Sequence, residues 1–325
     1  MRALQQTTLN GPEDLHLTEV PTPTPGPGEL LIRVTAAGLN YVDISQSRGT
    51  FRGGPQPPYV AGIEAAGEIV ALGDGVGGPA IGTHVVGATI QGGAFAEYAV
   101  LPAQAAIPIP PGWTDAQTLG LAVSWPTALA ALKPLGALQP GQTVLIHAAA
   151  GATGQTAVRL AKHYGATVIA VASAEKHEVL RTLAPDHILD SRSPTLADDI
   201  LRLTNNTGVD LALESTGGPT FESTLRATKR ITGRVIVSGL PAGPASITNW
   251  DLVYTHQLHL IGLNLGALIR HTPQIFAELM TELFTLITTG VLTPTNPTTY
   301  DLADGPKALT ALESRTTTGK LALLP

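Results

Sequence analysis

Small residues fill the turn between an apolar strand-like segment and a helix-like segment near the middle of the chain. The turn reads HAAAGATG, and Ala149, Gly151 and Gly154 stand at the three glycine positions of the G-x-G-x-x-G pattern. Gly151 would let the backbone approach a pyrophosphate, and Gly154 would permit close helix packing. The N–H groups at the helix start, at Ala152 and Thr153, would bind the negative charge. The pattern indicates a dinucleotide site, although small residues also serve tight strand–helix turns.

The end of the next strand bears on the choice between NADPH and NADH. A site for NAD usually places Asp or Glu about 20 residues after the glycines, whereas a 2′-phosphate needs a nearby cation. This strand ends in VIAVAS, with no acid up to Ser173. Ser173 can donate to a phosphate, and Lys176 and Arg192 can pair with it, which favours NADPH. Glu175 is either the ribose acid or, as we favour, an acid in the first turn of a helix.

The segments that must position these residues alternate between strand and helix candidates from about Leu119 onward. The strand candidates are TVLIHAA, TVIAVAS, HILD, VDLALEST and RVIVSGL, with helix candidates between them. This alternation is typical of parallel strands joined by crossover helices. Before about Pro111, short alternating segments broken by Gly and Pro predict a β-rich region. Near the end of the chain, the spacing predicts an amphipathic helix over residues 273–288.

Composition narrows the class of protein. With 325 residues, 43% of them hydrophobic and 14% charged, the chain can bury a full core and is expected to form two domains. A net charge of -6, with acidic and basic residues interspersed, argues against nucleic acid and membrane partners. The N-terminal residues lack the apolar core of a signal peptide, so we expect a cytoplasmic protein. The absence of cysteine excludes disulfides and a thiol nucleophile.

Eight segments, in order along almost the whole chain, resemble the medium-chain dehydrogenase/reductase superfamily and, within it, the zinc-free quinone oxidoreductase and enoyl reductase branch. They are AAGLNYVD (36–43), SRG (47–49), GIEAAGEIVALGDGV (62–76), GGAFAEY (92–98), HAAAGATG (147–154), STGG (215–218), GRVIVSG (233–239) and SRTTTGK (314–320). The resemblance implies an α/β fold: a Rossmann doubly wound parallel sheet over residues 119–262, and a GroES-like β-rich catalytic domain over 1–118 and 263–325. It also implies a homodimer formed through the Rossmann sheet edge.

The resemblance also predicts that no metal is bound. Zinc-dependent members of the superfamily carry Cys in the segment matching GLNYVD and a His-Glu pair in the segment matching GIE. This chain has Asn40 and Ile63 at those positions, and only Glu64 remains of the pair. One carboxylate does not make a zinc site.

Without zinc the protein cannot polarise an alcohol oxygen as a Lewis acid, so the resemblance favours NADPH-dependent hydride transfer to an enone, enoyl or quinone acceptor. Asn40 and Tyr41, with Tyr59 as a further donor, are the candidate catalytic residues; capping and packing are their structural alternatives. The candidate contacts of the nicotinamide are Thr127, Gly239, Leu240 and Asn264. Two alternative functions are a zinc-free NADP-dependent alcohol dehydrogenase and a nucleotide-binding protein without turnover.

Overall fold

The computed structural model describes residues 1–89 and 91–325. The strands are β1 (Arg2–Gln6), β2 (Leu15–Glu19), β3 (Glu29–Leu39), β4 (Tyr59–Val60), β5 (Glu64–Leu72), β6 (His84–Ala88), β7 (Tyr98–Pro102), β8 (Ile107–Pro108), β9 (Thr143–Ile146), β10 (Thr167–Ala172), β11 (His187–Asp190), β12 (Leu211–Glu214), β13 (Arg234–Val237), β14 (His259–Gly262), β15 (Thr298–Asp301) and β16 (Leu321–Leu324).

The α-helices are α1 (Tyr41–Ser47), α2 (Ser124–Leu132), α3 (Ala152–His163), α4 (His177–Arg181), α5 (Leu196–Leu203), α6 (Pro219–Arg226), α7 (Leu265–His271), α8 (Pro273–Thr288) and α9 (Gly305–Glu313). Helix α8 has the predicted bounds, because Pro273 suits the first helical position and the following apolar residues repeat with helical spacing. Among the described residues, no helix is both long enough and apolar enough to cross a bilayer.

The chain folds as two compact units, residues 1–123 with 294–325, and residues 124–293. We call them the catalytic unit and the nucleotide-binding unit. The second boundary differs from the sequence assignment, which gave all of residues 263–325 to the catalytic unit. Helices α7 and α8 belong to the nucleotide-binding unit, where α8 packs against α2.

The nucleotide-binding unit contains a parallel sheet of six strands in the order β11-β10-β9-β12-β13-β14. This is the doubly wound order, and it confirms the predicted Rossmann fold. Strands β10 and β12 are almost continuously buried, as expected for parallel strands covered by helices on both faces. The order reverses between β9 and β12, and ligands of such sheets bind at that point, beyond the carboxyl ends of the strands.

The catalytic unit is β-rich, as predicted. One sheet has the order β2-β1-β4, and the other has the order β15-β16-β3-β5-β6-β8, with β7 also paired to β3. The register of β3 is what matters for the site: Gly38 lies opposite Glu64 on β5, and Leu39 lies opposite Leu321 on β16. This pairing brings Lys320, the residue before β16, to the end of β3.

Candidate functional site

A buried ion pair lies at the end of β3 in the catalytic unit. The Lys320 ammonium donates to Glu64 Oε2 at 2.5 Å, to Asn40 Oδ1 at 2.8 Å and to the Leu39 carbonyl at 3.0 Å. The side chains of Lys320 and Glu64 are only 3% and 0% exposed. The other carboxylate oxygen of Glu64 accepts the Gly120 N–H at 2.7 Å. Both charges are therefore compensated inside the unit.

Asn40 caps helix α1, and its carboxamide is already hydrogen-bonded. Besides accepting from Lys320, it donates through Nδ2 to Glu64 Oε2 at 3.1 Å and to the Gly38 carbonyl at 3.2 Å. Both amide hydrogens thus have acceptors within the protein. The predicted donation from Asn40 to an acceptor carbonyl would require one of these bonds to be exchanged.

Asp43 is buried beside this network, and Tyr59 is half-buried there with its hydroxyl oxygen enclosed. Asp43 Oδ2 accepts the Asn40 N–H at 2.7 Å. Among the described residues, Asp43 Oδ1 and the Tyr59 hydroxyl have no hydrogen-bond partner. Burial raises the pKa of Asp43 to about 7, against the opposing effects of the Asn40 N–H and Lys320. Burial, together with Asp43, raises the pKa of Tyr59 to about 12, so the phenol keeps its proton.

Tyr41 is the first residue of α1 and is half-buried. Burial raises the pKa of its phenol, with Glu313 adding to the effect and Arg315 opposing it. The phenol therefore stays protonated near neutral pH and is chemically able to donate a hydrogen bond.

We expect Asp43→Asn to remove a pH dependence of folding. The pKa of Asp43 is raised from 3.8 to about 7, so between these values the folded state keeps a proton that the unfolded state releases. The free energy of unfolding should therefore fall as pH rises from about 4 to about 7, by at least about 1 kcal/mol. Urea unfolding of both proteins across this range is the measurement. Parallel curves for the wild type and the variant would refute the buried, protonated Asp43.

The predicted dinucleotide turn lies between β9 and α3, as its pattern requires. Helix α3 begins after Gly151, and no side chain caps its N-terminus. A Cβ on Gly154 would lie 2.4 Å from the Ala148 carbonyl oxygen, whereas a Cβ on Gly151 would meet only that oxygen, at 3.4 Å. Gly154 thus allows close packing of helix and strand, and Gly151 leaves the turn open. These residues suit a dinucleotide pyrophosphate.

A pocket of the nucleotide-binding unit opens at the carboxyl ends of β9, β12 and β13. Its walls include Thr127 of α2, and Thr153 and Gly154 of α3. The structure thus brings together three of the predicted cofactor residues. It adds His147, Ser215 and Ser238, which the sequence analysis did not single out. Their positions in the sequence could have identified them, because each is the residue directly after a strand of the parallel sheet.

The residues proposed for the 2′-phosphate follow two neighbouring strands: Ser173 and Lys176 come after β10, and Arg192 comes after β11. Arg192 pairs with Glu175, with Nη2 2.8 Å from Oε1. The pKa of the Glu175 carboxyl is below its ordinary value, because its own backbone N–H and the Ser173 hydroxyl donate to it and Arg192 adds its charge. Glu175 thus accepts hydrogen bonds from both Ser173 and Arg192. Lys176 ends the 3₁₀ turn between β10 and α4.

Arg192→Ala should weaken NADPH binding about tenfold or more and change NADH binding little, because only NADPH offers a 2′-phosphate to the guanidinium. Glu175→Gln should strengthen NADPH binding, because it releases Arg192 from its ion pair. Dissociation constants from fluorescence titration would check both. Arg181→Ala is the matched control, since Arg181 pairs with Glu178 on the exposed face of α4. Equal losses for NADPH and NADH would contradict the assignment.

The remaining predicted cofactor residues lie at strand and helix ends. Gly239 follows β13, and a Cβ there would lie 2.8 Å from the Ser215 carbonyl oxygen. Leu240 is 56% exposed. Asn264 caps α7, accepting the Ala267 N–H at 3.0 Å. Contacts between these residues and a cofactor remain predictions.

The side chains at the positions that match the zinc ligands of zinc-dependent members do not suit the metal. Asn40 and Ile63 stand where those members have the Cys and His ligands. Both oxygens of the Glu64 carboxylate already accept hydrogen bonds, one from Lys320 and the other from the Gly120 N–H. Among residues 1–89 and 91–325, no group of three or more His, Asp or Glu side chains is placed to hold a metal ion.

Comparison with known proteins agrees with this architecture. Residues 26–111 match the alcohol dehydrogenase GroES-like domain, and residues 152–284 match the family described as zinc-binding dehydrogenase. A quinone oxidoreductase-like protein 2 homolog of Nematostella vectensis is 31% identical over 92% of this chain and 82% of its own length.

Two solved structures are similar over nearly all of the chain. The Escherichia coli quinone oxidoreductase complexed with NADPH is 27% identical, with 100% of both chains covered and a TM-score of 0.92. The CurK enoyl reductase is 25% identical, with 99% of both chains covered and a TM-score of 0.88. The sheet order, the glycine turn and these relatives place the chain in the quinone oxidoreductase and enoyl reductase branch of the medium-chain dehydrogenase/reductase superfamily.

Proposed function

We propose that the protein is an NADPH-dependent oxidoreductase that reduces a conjugated acceptor, an enone, an enoyl compound or a quinone, without a metal ion. The observation that carries the proposal is the pairing of Glu64 with Lys320, which leaves the catalytic unit with hydrogen-bond donors in place of metal ligands. Conjugate reduction needs such donors only, because the protein must orient the acceptor, stabilise the developing enolate oxygen and admit a proton. The similar quinone oxidoreductase and enoyl reductase support this reaction class.

The nucleotide-binding unit supports NADPH as the cofactor. The open turn at Gly151 and the uncapped N-terminus of α3 offer backbone N–H groups to the pyrophosphate. Ser173, Lys176 and Arg192 would hold the 2′-phosphate, with Arg192 leaving Glu175. Thr127 would contact the nicotinamide half. Bound NADPH would supply the hydride.

In the catalytic unit, tyrosine hydroxyls would donate hydrogen bonds to the carbonyl oxygen of the acceptor. Tyr59 is the stronger candidate, because its buried hydroxyl lacks a partner among the described residues and a carbonyl oxygen would satisfy it. Tyr41 would supply a second hydrogen bond or the proton. Asn40, held by Lys320 and Glu64, fixes the start of α1 and thereby positions Tyr41.

The experiment that tests the proposal is NADPH consumption, followed by absorbance, against quinones, conjugated enones and enoyl thioesters, with simple ketones as controls. NADP⁺ reduction by simple alcohols is measured in parallel. We expect turnover of conjugated acceptors only, and the best acceptor would separate quinone from enoyl chemistry. NADP-dependent oxidation of simple alcohols would instead support a zinc-free alcohol dehydrogenase. Tight NADPH binding without consumption would support a nucleotide-binding protein without turnover.

We also propose that the protein is a homodimer formed through the edge of the Rossmann sheet. Strand β14 is the last strand of that sheet. Large apolar side chains are exposed on it and just before it: Trp250 is 67% exposed, Tyr254 61% and Leu260 37%. The rings of Trp250 and Tyr254 lie 4.4 Å apart. An exposed edge strand with apolar side chains favours pairing with a second chain.

Leu260→Glu should therefore convert the dimer to a monomer, because it would bury a charge in the interface. Light scattering coupled to gel filtration is the measurement. Leu203→Glu is the control, since Leu203 is similarly exposed, at 39%, but lies on α5. A wild-type monomer, or a variant that stays dimeric, would contradict the proposed interface.

A further inference from the structure

A buried chain of hydrogen bonds joins His147, Thr224 and Glu214 in the nucleotide-binding unit. His147 Nε2 lies 2.8 Å from Thr224 Oγ1, which lies 2.9 Å from Glu214 Oε2. The three residues are 2%, 0% and 0% exposed, respectively. They come from three elements: the turn after β9, helix α6 and the end of β12. The proposed reaction does not use any of them, so their burial needs another explanation.

The donor and the acceptor of each hydrogen bond can be assigned from the chemistry of the hydroxyl, carboxylate and imidazole groups. The Thr224 hydroxyl has a single hydrogen and two acceptors within reach, the Thr220 carbonyl at 2.8 Å and Glu214 Oε2 at 2.9 Å. We direct the hydrogen to Glu214, because a charged carboxylate is the stronger acceptor. Thr224 Oγ1 then accepts from His147, whose Nε2 carries the proton. Burial lowers the pKa of His147, against the opposing effect of Glu214, which keeps the imidazole neutral.

The other oxygen of Glu214 fixes the loop after β12. It accepts the Thr216 N–H at 2.6 Å and the Gly217 N–H at 2.8 Å. Gly217 and Gly218 have φ angles of 72° and 55°, and a Cβ on either would come within 2.5 Å of the backbone of loop 240–243. The two hydrogen bonds to Glu214 and the close approach of loop 240–243 therefore restrict the shape of loop 215–218.

This loop borders the pocket described above. His147 and Ser215 both line the pocket, and the Ser215 hydroxyl donates to the His147 carbonyl at 3.3 Å. In doubly wound sheets, the second half of the fold binds the second half of the dinucleotide, beyond the carboxyl ends of its strands. Loop 215–218 follows β12, the first strand of that half.

We propose that the His147–Thr224–Glu214 network positions the nicotinamide half of NADPH by holding loop 215–218 in its binding shape. The proposal rests on the NADPH binding proposed above. The three residues are positioning residues, because they act through the loop. When the network is broken, the loop must be reordered on binding, and the affinity for the nicotinamide half falls.

The test compares Thr224→Val, which is isosteric but lacks the hydroxyl, with Thr224→Ser, which keeps it. Calorimetry would measure the dissociation constants of NADPH and of adenosine 2′,5′-bisphosphate, which lacks the nicotinamide half. We expect Thr224→Val to weaken NADPH about tenfold and the bisphosphate not at all, and Thr224→Ser to behave like the wild type. Thr228→Val is the matched control, because it removes a buried hydroxyl that donates to the Thr224 carbonyl and lies outside the chain from His147 to Glu214.

The outcomes separate the two proposals. A wild type that binds the bisphosphate but not NADPH would contradict the proposed function itself. Unchanged NADPH affinity in Thr224→Val, or equal weakening of both ligands, would overturn the network's role alone. Thr224→Ala, which also removes the hydroxyl but leaves a smaller side chain, serves as the second variant if Thr224→Val does not fold, and the same selectivity is expected.

Discussion

Replacing Lys320 with methionine is expected to lower the free energy of unfolding by about 3–5 kcal/mol, because it leaves the Glu64 carboxylate buried without its cation. Glu64 is 0% exposed and cannot reach water. Methionine preserves most of the side-chain volume, so a loss of packing contributes little. Urea unfolding of the wild type and the variant measures the change.

The double variant Lys320→Met/Glu64→Gln is the decisive control. A neutral amide in place of the carboxylate can still accept the Gly120 N–H, so the double variant should regain much of the lost stability. The two substitutions should be far from additive. A double variant as unstable as the sum of the single variants would mean that the two side chains do not form a coupled pair.

Gly154→Val should prevent NADPH binding and destabilise the nucleotide-binding unit. Its Cβ would lie 2.4 Å from the Ala148 carbonyl oxygen and 2.6 Å from the Ala149 Cα, and both are backbone atoms that cannot rotate away. Helix α3 would have to move off β9, at a cost of about 1–3 kcal/mol or more. Thermal unfolding and NADPH titration would measure the two effects.

Gly151→Ala separates binding from folding. Its Cβ would meet only the Ala148 carbonyl oxygen, at 3.4 Å, so the variant should fold with nearly the wild-type stability. It should nevertheless bind NADPH more weakly, because the methyl group would stand where the pyrophosphate approaches. Wild-type affinity in both glycine variants would remove this turn from the binding site.

The sequence predicted the nucleotide-binding unit well because its signals are local. Each of the strand segments TVLIHAA, TVIAVAS, HILD, VDLALEST and RVIVSGL contains a strand of the parallel sheet. The apolar runs and the glycine turn needed no distant partner to be recognised. The assignment of residues 263–293 did not follow from such local signals, since amphipathic helices such as α8 can pack on either unit.

The catalytic unit was harder to predict because its site depends on long-range pairing. Lys320 in the sequence could be an ordinary solvated charge, but it is buried against Asn40 and Glu64, which are 280 and 256 residues away along the chain. Only the pairing of β16 with β3 brings these residues together. The hydrogen bonds that occupy the Asn40 amide follow from the same pairing.

Metal-free conjugate reduction is tested by following deuterium from NADPH that carries deuterium at both C4 positions into a conjugated enone, using protein treated with a chelator and checked for metal content. We expect deuterium at the β-carbon of the saturated ketone product, formed at a rate that the chelator does not change. Deuterium at the carbonyl carbon of an alcohol product, or activity lost on chelation and restored by zinc, would contradict metal-free conjugate reduction.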